Sequence, residues 1–381
     1  MLKKILILIF ILLIYYVYTR EEIFQEDTIL IGSSLPKSGI IKSWGDSVIA
    51  GSSSYFNYVN ETGILGNKKI EFLTYDDQYE PELTLENLKK LIFFDKVYAL
   101  FGFVGTPTVK SLLPILYDEN IPFFAPYTGA SFLRNEQNKN FVNFRSSYEE
   151  EVENIIQYLH NKKNLNRFAV FYQNDDYGEE GYVSLLKSLK KRNLSLIAEG
   201  SYKRNTLSIT HAFNEIKDAK PEAIIMIGAY KSNALFIKKA KENENFRNTV
   251  FCNLSFGDAN AIIKELSDLN TDTKNLIFSQ VVPSYTDTSI PVINEYQKLM
   301  KKYYPNEELG FISLESFLAS KVLVNAILRI EKNRTRQKLI DMLKTTPKNT
   351  LEGLELNFKN TQLLNKVYLF NYVNNEFKEL E

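Results

Sequence analysis

From Thr28 onward, short apolar runs alternate with stretches whose apolar residues recur at helical spacing. Ile29-Leu30-Ile31-Gly32 reads as a strand and Asp46 to Asn60 as a helix. Lys69 to Tyr75, Val97 to Phe101 and Pro122 to Ala125 read as further strands, with helices over Pro81 to Phe94 and Ser111 to Glu119 between them. The cycle continues through helix Tyr148 to His160, strand Arg167 to Tyr172, helix Gly181 to Lys191 and strand Ala223 to Ile227. Strands separated by helices of this length imply right-handed βαβ units and parallel sheets, so the fold class is α/β.

A chain of 381 residues exceeds the roughly 250–300 at which single cores stop growing, and two lobes follow. Phe141 to Ser147 and Asn275 to Gln280 read as extended crossovers between them. Residues 1–26 stand apart: Lys3-Lys4 precedes an apolar run from Ile5 to about Val17, which Arg20-Glu21-Glu22 ends. That layout is an export signal, shorter than the roughly 20 residues of a spanning helix. Val17-Tyr18-Thr19 is a marginal cleavage site, which leaves an uncleaved anchor as the alternative. Either way the folded part is expected outside the cytoplasmic membrane.

Lys+Arg and Asp+Glu number 46 each, which argues against a nucleic-acid surface. Cys252 is the only cysteine, so an internal disulfide, a thiolate metal cluster and a Cys-x-x-Cys pair are excluded. Catalytic patterns are missing as well. There are two histidines, His160 and His211, both in polar surroundings, and no Gly-x-Ser-x-Gly, His-Glu-x-x-His, Walker or Gly-x-Gly-x-x-Gly motif occurs. We expect no enzyme, no cofactor and no metal.

Two loops carry the positive signal. Gly102-Phe103-Val104-Gly105-Thr106-Pro107-Thr108 and Pro126-Tyr127-Thr128-Gly129-Ala130 each follow an apolar strand and precede a polar or helical segment. Hydroxyls beside glycines at the carboxyl edge of a parallel sheet expose N–H groups to a crevice, which suits a small polar ligand. Tyr177, in Asp175-Asp176-Tyr177-Gly178, and Tyr230, after Ile227-Gly228-Ala229, stand at other strand ends. Trp44, the only tryptophan, lies in the first βα loop, where an aromatic face suits an apolar or cationic ligand part.

These residues resemble the type I periplasmic binding proteins, the Leu/Ile/Val-binding family of solute receptors, over nearly everything after residue 27. The resemblance implies two doubly wound parallel sheets joined by a three-segment hinge whose third crossing falls near Leu351-Glu352-Gly353, so that 27–145 and 278–352 form lobe 1 and 146–277 and 353–381 form lobe 2, and a monomer that closes on its ligand. It also implies delivery of that ligand, an amino acid, amide or small carboxylate, to the membrane permease of an ABC-type importer. A ligand-sensing domain signalling to a membrane kinase or chemoreceptor is the alternative use of the same fold. By the resemblance Thr106 meets the ligand carboxylate, and Tyr127, Thr128 and Gly129 form the second loop. Tyr177 and Tyr230 close from the other lobe, and Trp44 stands at the cleft mouth. At the place where amino-acid-binding members carry an acid for the ligand ammonium, this chain has Ser255. That points away from a simple α-amino acid, unless Asp258 takes the part.

Overall fold

The computed structural model describes residues 22–24, 26–135 and 137–380, and the signal or anchor reading of residues 1–21 lies outside them. The first lobe opens with β1 (Thr28–Leu35), α1 (Lys42–Thr62), β2 (Lys69–Asp76) and α2 (Pro81–Lys89), which ends in one wider turn, Lys90–Phe94. It continues through β3 (Ala99–Phe101), α3 (Thr106–Lys110), α4 (Leu113–Glu119), β4 (Phe123–Phe124) and β5 (Phe141–Val142). Its five strands are parallel in the order β2-β1-β3-β4-β5.

The second lobe holds α5 (Tyr148–Gln157), β6 (Phe168–Gln173), α6 (Asp176–Lys190), β7 (Leu196–Tyr202), α7 (Thr210–Lys217), β8 (Ala223–Ile227) and α8 (Tyr230–Lys241). After β9 (Val250–Asn253), α9 (Ala259–Asp268) and β10 (Leu276–Gln280), the chain returns to the first lobe. There α10 (Pro291–Tyr303), α11 (Phe311–Leu328) and α12 (Arg336–Lys344) cover the first sheet. A hairpin of β11 (Tyr368–Val373) and β12 (Glu376–Glu379) then completes a seven-stranded sheet, β12-β11-β10-β9-β8-β6-β7. Only the hairpin strands run antiparallel in it.

The parallel strands are nearly continuous apolar runs because helices cover both faces; β8, Ala-Ile-Ile-Met-Ile, is buried throughout. The helix expected over Ser111 to Glu119 is observed as α4, Leu113–Glu119, with a separate short helix, α3, before it; Pro107 and Pro114 lie in their first turns. A proline cannot donate to the preceding turn, so each starts a helix instead of continuing one. Between the lobes, Asn143 and Phe144 run beside Thr361 to Leu364, with Asn143 N–H donating to Thr361 O at 2.8 Å and Leu364 N–H to Phe144 O at 2.8 Å. These paired extended segments join the two sheets at their carboxyl edges.

Candidate functional site

Each first-lobe loop is shaped by a glycine with no room for a side chain. Gly105, at φ +102°, turns the chain into α3, and a Cβ there would stand 2.2 Å from the Tyr79 ring. A Cβ on Gly129 would stand 2.5 Å from the Tyr148 nitrogen. With these approaches allowed, the Thr106 and Thr128 hydroxyls meet at 2.7 Å, fully buried, and Tyr148 brings its own hydroxyl to 3.5 Å from Thr106. Ala130 N–H donates to Thr128 Oγ1 at 3.2 Å. Tyr127 packs its ring 5.6 Å from Trp44, and its buried hydroxyl has no protein partner.

Trp44 lies in the first turn of α1, because the helix begins at Lys42. It is fully buried, and its indole N–H crosses to the other lobe to donate to Phe256 O at 3.1 Å. Phe256 stacks on Trp44 at 5.0 Å and lies 4.7 Å from Tyr177 and 5.9 Å from Tyr79. Tyr177 in turn stands 5.2 Å from Tyr148 and has a buried hydroxyl without a protein partner. Asp175 sets that position by accepting from the Tyr177 and Gly178 N–H groups as the cap of α6. Tyr230, the first residue of α8, is buried apart from this stack, and burial, helped by the nearby Asp258 carboxylate, pushes its phenol up against the opposing effect of Ser43.

Ser255 is held by the protein itself. Its N–H and hydroxyl both donate to Glu151 at 2.8 Å, and it accepts from Arg145 Nη2 at 3.2 Å. Arg145 grips Glu315 with Nε and Nη2, each at 3.0 Å, and Ser279 donates to Glu151 at 2.5 Å. Burial works against the charge on Arg145, but Glu315 and Glu151 more than offset it and hold the guanidinium above its ordinary range. This chain of bonds ties the hinge (Arg145), the first lobe (Glu315) and the second lobe (Ser255, Glu151, Ser279) together.

Further inter-lobe bonds run from Ser43 Oγ to Asp258 at 2.8 Å, Gln173 Nε2 to Tyr79 OH at 3.2 Å, and Arg204 Nη2 to Glu80 at 3.0 Å. Lys110 also pairs with Asp176. The lobes are therefore closed on each other, with the hydroxyl cluster and aromatic stack inside. At the margin, Gly129, which follows Thr128, lines a cavity of 740 Å³ together with Lys110, Arg134 and Glu180.

Tyr79, Tyr148, Phe256, Arg145, Glu151 and Glu315 were not singled out from the sequence. Three of them carry a signal there: Glu151 falls on the apolar face of α5 with Tyr148, Val152 and Ile155, Glu315 sits in the apolar run of α11, and Arg145 follows Phe141-Val142-Asn143-Phe144. A charge placed among apolar positions needs a buried partner.

The buried Asp77 and Asp258 and the partly buried Asp175 are pushed up to about 6, chiefly by burial. A carboxyl raised in the folded state binds its proton more tightly there than in the unfolded chain. Its stabilising contribution is therefore present below pH 3.8, the ordinary aspartate value, and is lost as pH rises toward 6. Glu153, lowered to about 2 by Arg192 and Ser188 against the effect of burial, acts in the opposite sense at lower pH. We expect the stability difference between Asp258→Asn and the wild type to move in favour of the variant between pH 4.5 and 6.5. Denaturant titrations at several pH values measure it, and a difference that stays constant contradicts the raised value.

Two α/β lobes that close through a hinge over a buried polar and aromatic centre define a ligand-capturing protein. Residues 28–376 match the periplasmic binding protein family, and the chain belongs to it. It is 20% identical over 317 residues to Leu/Ile/Val-binding protein homolog 7 of Brucella abortus, covering 80% of this chain and 77% of that one. A possible leucine/isoleucine/valine-binding protein from Rhodopirellula baltica superposes with a TM-score of 0.87 at 28% identity, covering 93% of this chain and 96% of that one. A substrate-binding periplasmic protein from Ralstonia solanacearum gives 0.85 at 25% identity, covering 92% and 100%. The type I periplasmic-binding-protein fold expected from the loops is thus the fold observed.

Proposed function

We propose that this protein is an exported receptor, not an enzyme, that captures a small carboxylate or amide with an aromatic or apolar body and hands it to an ABC-type importer. Structures of this fold hold isoleucine in a Streptococcus pneumoniae protein and benzoate in one from R. palustris, so the fold leaves the ligand class open. The reading rests on one observation: the buried hydroxyls of Thr106, Thr128, Tyr148 and Tyr177 lie against an aromatic wall of Trp44, Tyr79 and Phe256.

The surrounding carboxylates support a ligand without an ammonium group. Glu151 accepts from Ser255 and Ser279, Glu315 from Arg145, and Asp258 from Ser43 and Ala261 N–H, so both oxygens of each already have a donor. A buried ammonium would need a counter-charge that these groups already spend on the protein.

A thermal-shift panel tests this. Benzoate, phenylacetate and their amides are expected to raise the melting temperature more than leucine, isoleucine or valine do. If the branched-chain amino acids stabilise strongly and the aromatic acids do not, the proposed class is wrong, and Asp258→Asn should then abolish the shift. Native mass spectrometry of protein purified without refolding provides a second measurement, since a closed cleft retains its ligand. The ligand is also expected to change the emission of Trp44, which spans the two lobes through its bond to Phe256. Unchanged emission alongside calorimetrically measured binding would place Trp44 outside the moving cleft.

A further inference from the structure

The pole of the first lobe opposite the cleft carries an unusual surface. Among the described residues ten large apolar side chains are exposed, and six of them lie at this pole: Ile23, Ile64, Phe93, Phe94, Tyr117 and Leu328. Phe94 is 81% and Phe93 49% exposed. The topology puts them together. The turn holding Ile64 precedes β2, the wider turn ending at Phe94 precedes β3, and Tyr117 stacks on Phe141 at the start of β5, so all three lie at the amino edge of the sheet. Ile64 and Leu328 share the lining of a 540 Å³ cavity with Phe24.

The amino-terminal segment enters the fold at the same place. Phe24 N–H donates to Arg334 O at 2.8 Å, and its ring lies 5.0 Å from Tyr98, four residues beyond Phe94. From the end of the apolar run at Val17 to Phe24 the chain spans at most about 25 Å. Basic side chains surround the patch: Lys89, Lys90 and Lys96 are exposed beside the phenylalanines and Lys332 at the cavity rim. Of the nearby acids, Asp95 accepts from Tyr75 OH, Asp27 accepts from Asn67 Nδ2, Glu22 lies 4.0 Å from Arg336, and Glu26, Asp118 beside Tyr117 and Glu331 beside Lys332 stand exposed.

We propose that this pole is a lipid-facing surface, which rests on an anionic bilayer while the amino-terminal apolar run of the full chain is inserted in it. Phenylalanine rings flanked by lysines suit the headgroup boundary, where rings enter the acyl margin and ammonium groups meet anionic headgroups. The cleft, at the opposite edge of the same sheet, then stays in water where ligand arrives. This inference is independent of the ligand class.

Hydrogen exchange of the full chain tests it, on vesicles of phosphatidylethanolamine with phosphatidylglycerol and on vesicles of phosphatidylcholine alone. The apolar run holds the chain on both, so the comparison isolates the pole. On the anionic vesicles, peptides over 63–68, 89–98 and 328–334 should exchange several-fold more slowly than on the neutral ones, with peptides around Leu207 in the second lobe unchanged. In Phe93→Ser/Phe94→Ser, which replaces exposed rings and should leave the melting temperature unchanged, the protection over 63–68 and 328–334 should be lost. Equal exchange on the two vesicle types overturns the proposal. So does protection that grows with protein density at fixed lipid, which would assign the patch to a second copy of this chain.

Discussion

Arg145→Met is expected to lower the stability of the protein by about 3–5 kcal/mol, the cost of leaving one partner of a buried ion pair without the other. Glu315, at 2% exposure, would lose both of its donors, and because burial already pushes its carboxyl up it would be left either with an unpaired charge or with a proton taken up in place of Arg145. Glu151 would lose the nearby cation that faces it through Ser255. Removing both charges in Arg145→Met/Glu315→Leu should cost less than the single change, since no unpaired charge at Glu315 remains. Urea titration of the two variants gives the comparison. A loss below about 1 kcal/mol for Arg145→Met would mean that water reaches the pair and that it is no fixed point between the lobes.

The same pair marks where the sequence stops being readable. The alternation of strands and helices was legible because each buried parallel strand is a continuous apolar run and each covering helix has one apolar face. The two hydroxyl loops were legible because glycine beside threonine at a strand end has a local backbone reason, seen at Gly105 with its positive φ. Arg145 and Glu315 are separated by 170 positions, and Ser255 reaches Glu151 across 104. Local pattern shows that Arg145, Glu315 and Glu151 are charges among apolar neighbours, but the pairing exists only once the hinge brings three segments to one point. Phe256 had no signal at all. It is one of 26 phenylalanines, and its place between Trp44 and Tyr177 follows from the short turn that joins β9 to α9. Ser255 was read as the place of a missing charge, and the structure puts a carboxylate, Glu151, directly behind it. Because that carboxylate lies on α5, no reading of the Ser255 loop alone shows it.

Thr106→Ala and Thr128→Ala should each weaken ligand binding by roughly 1–3 kcal/mol, with little change in folding. The two hydroxyls bond each other at 2.7 Å at the centre of the closed cleft, where water cannot replace a lost partner. A ligand oxygen placed there would take a hydrogen bond from the pair, and removing either hydroxyl leaves that oxygen desolvated and short of a donor. The effects should not add. Once one hydroxyl is gone the other loses its fixed orientation, so the double variant should cost less than the sum of the singles. Tyr148, 3.5 Å from Thr106, provides the control, because Tyr148→Phe keeps the ring against Tyr177 and removes a hydroxyl at the edge of the cluster. Its effect should be smaller than that of either threonine. Calorimetry with the ligand found by mass spectrometry measures all four variants. Wild-type affinity in both threonine variants would move the ligand away from these loops and toward the 740 Å³ cavity at their margin.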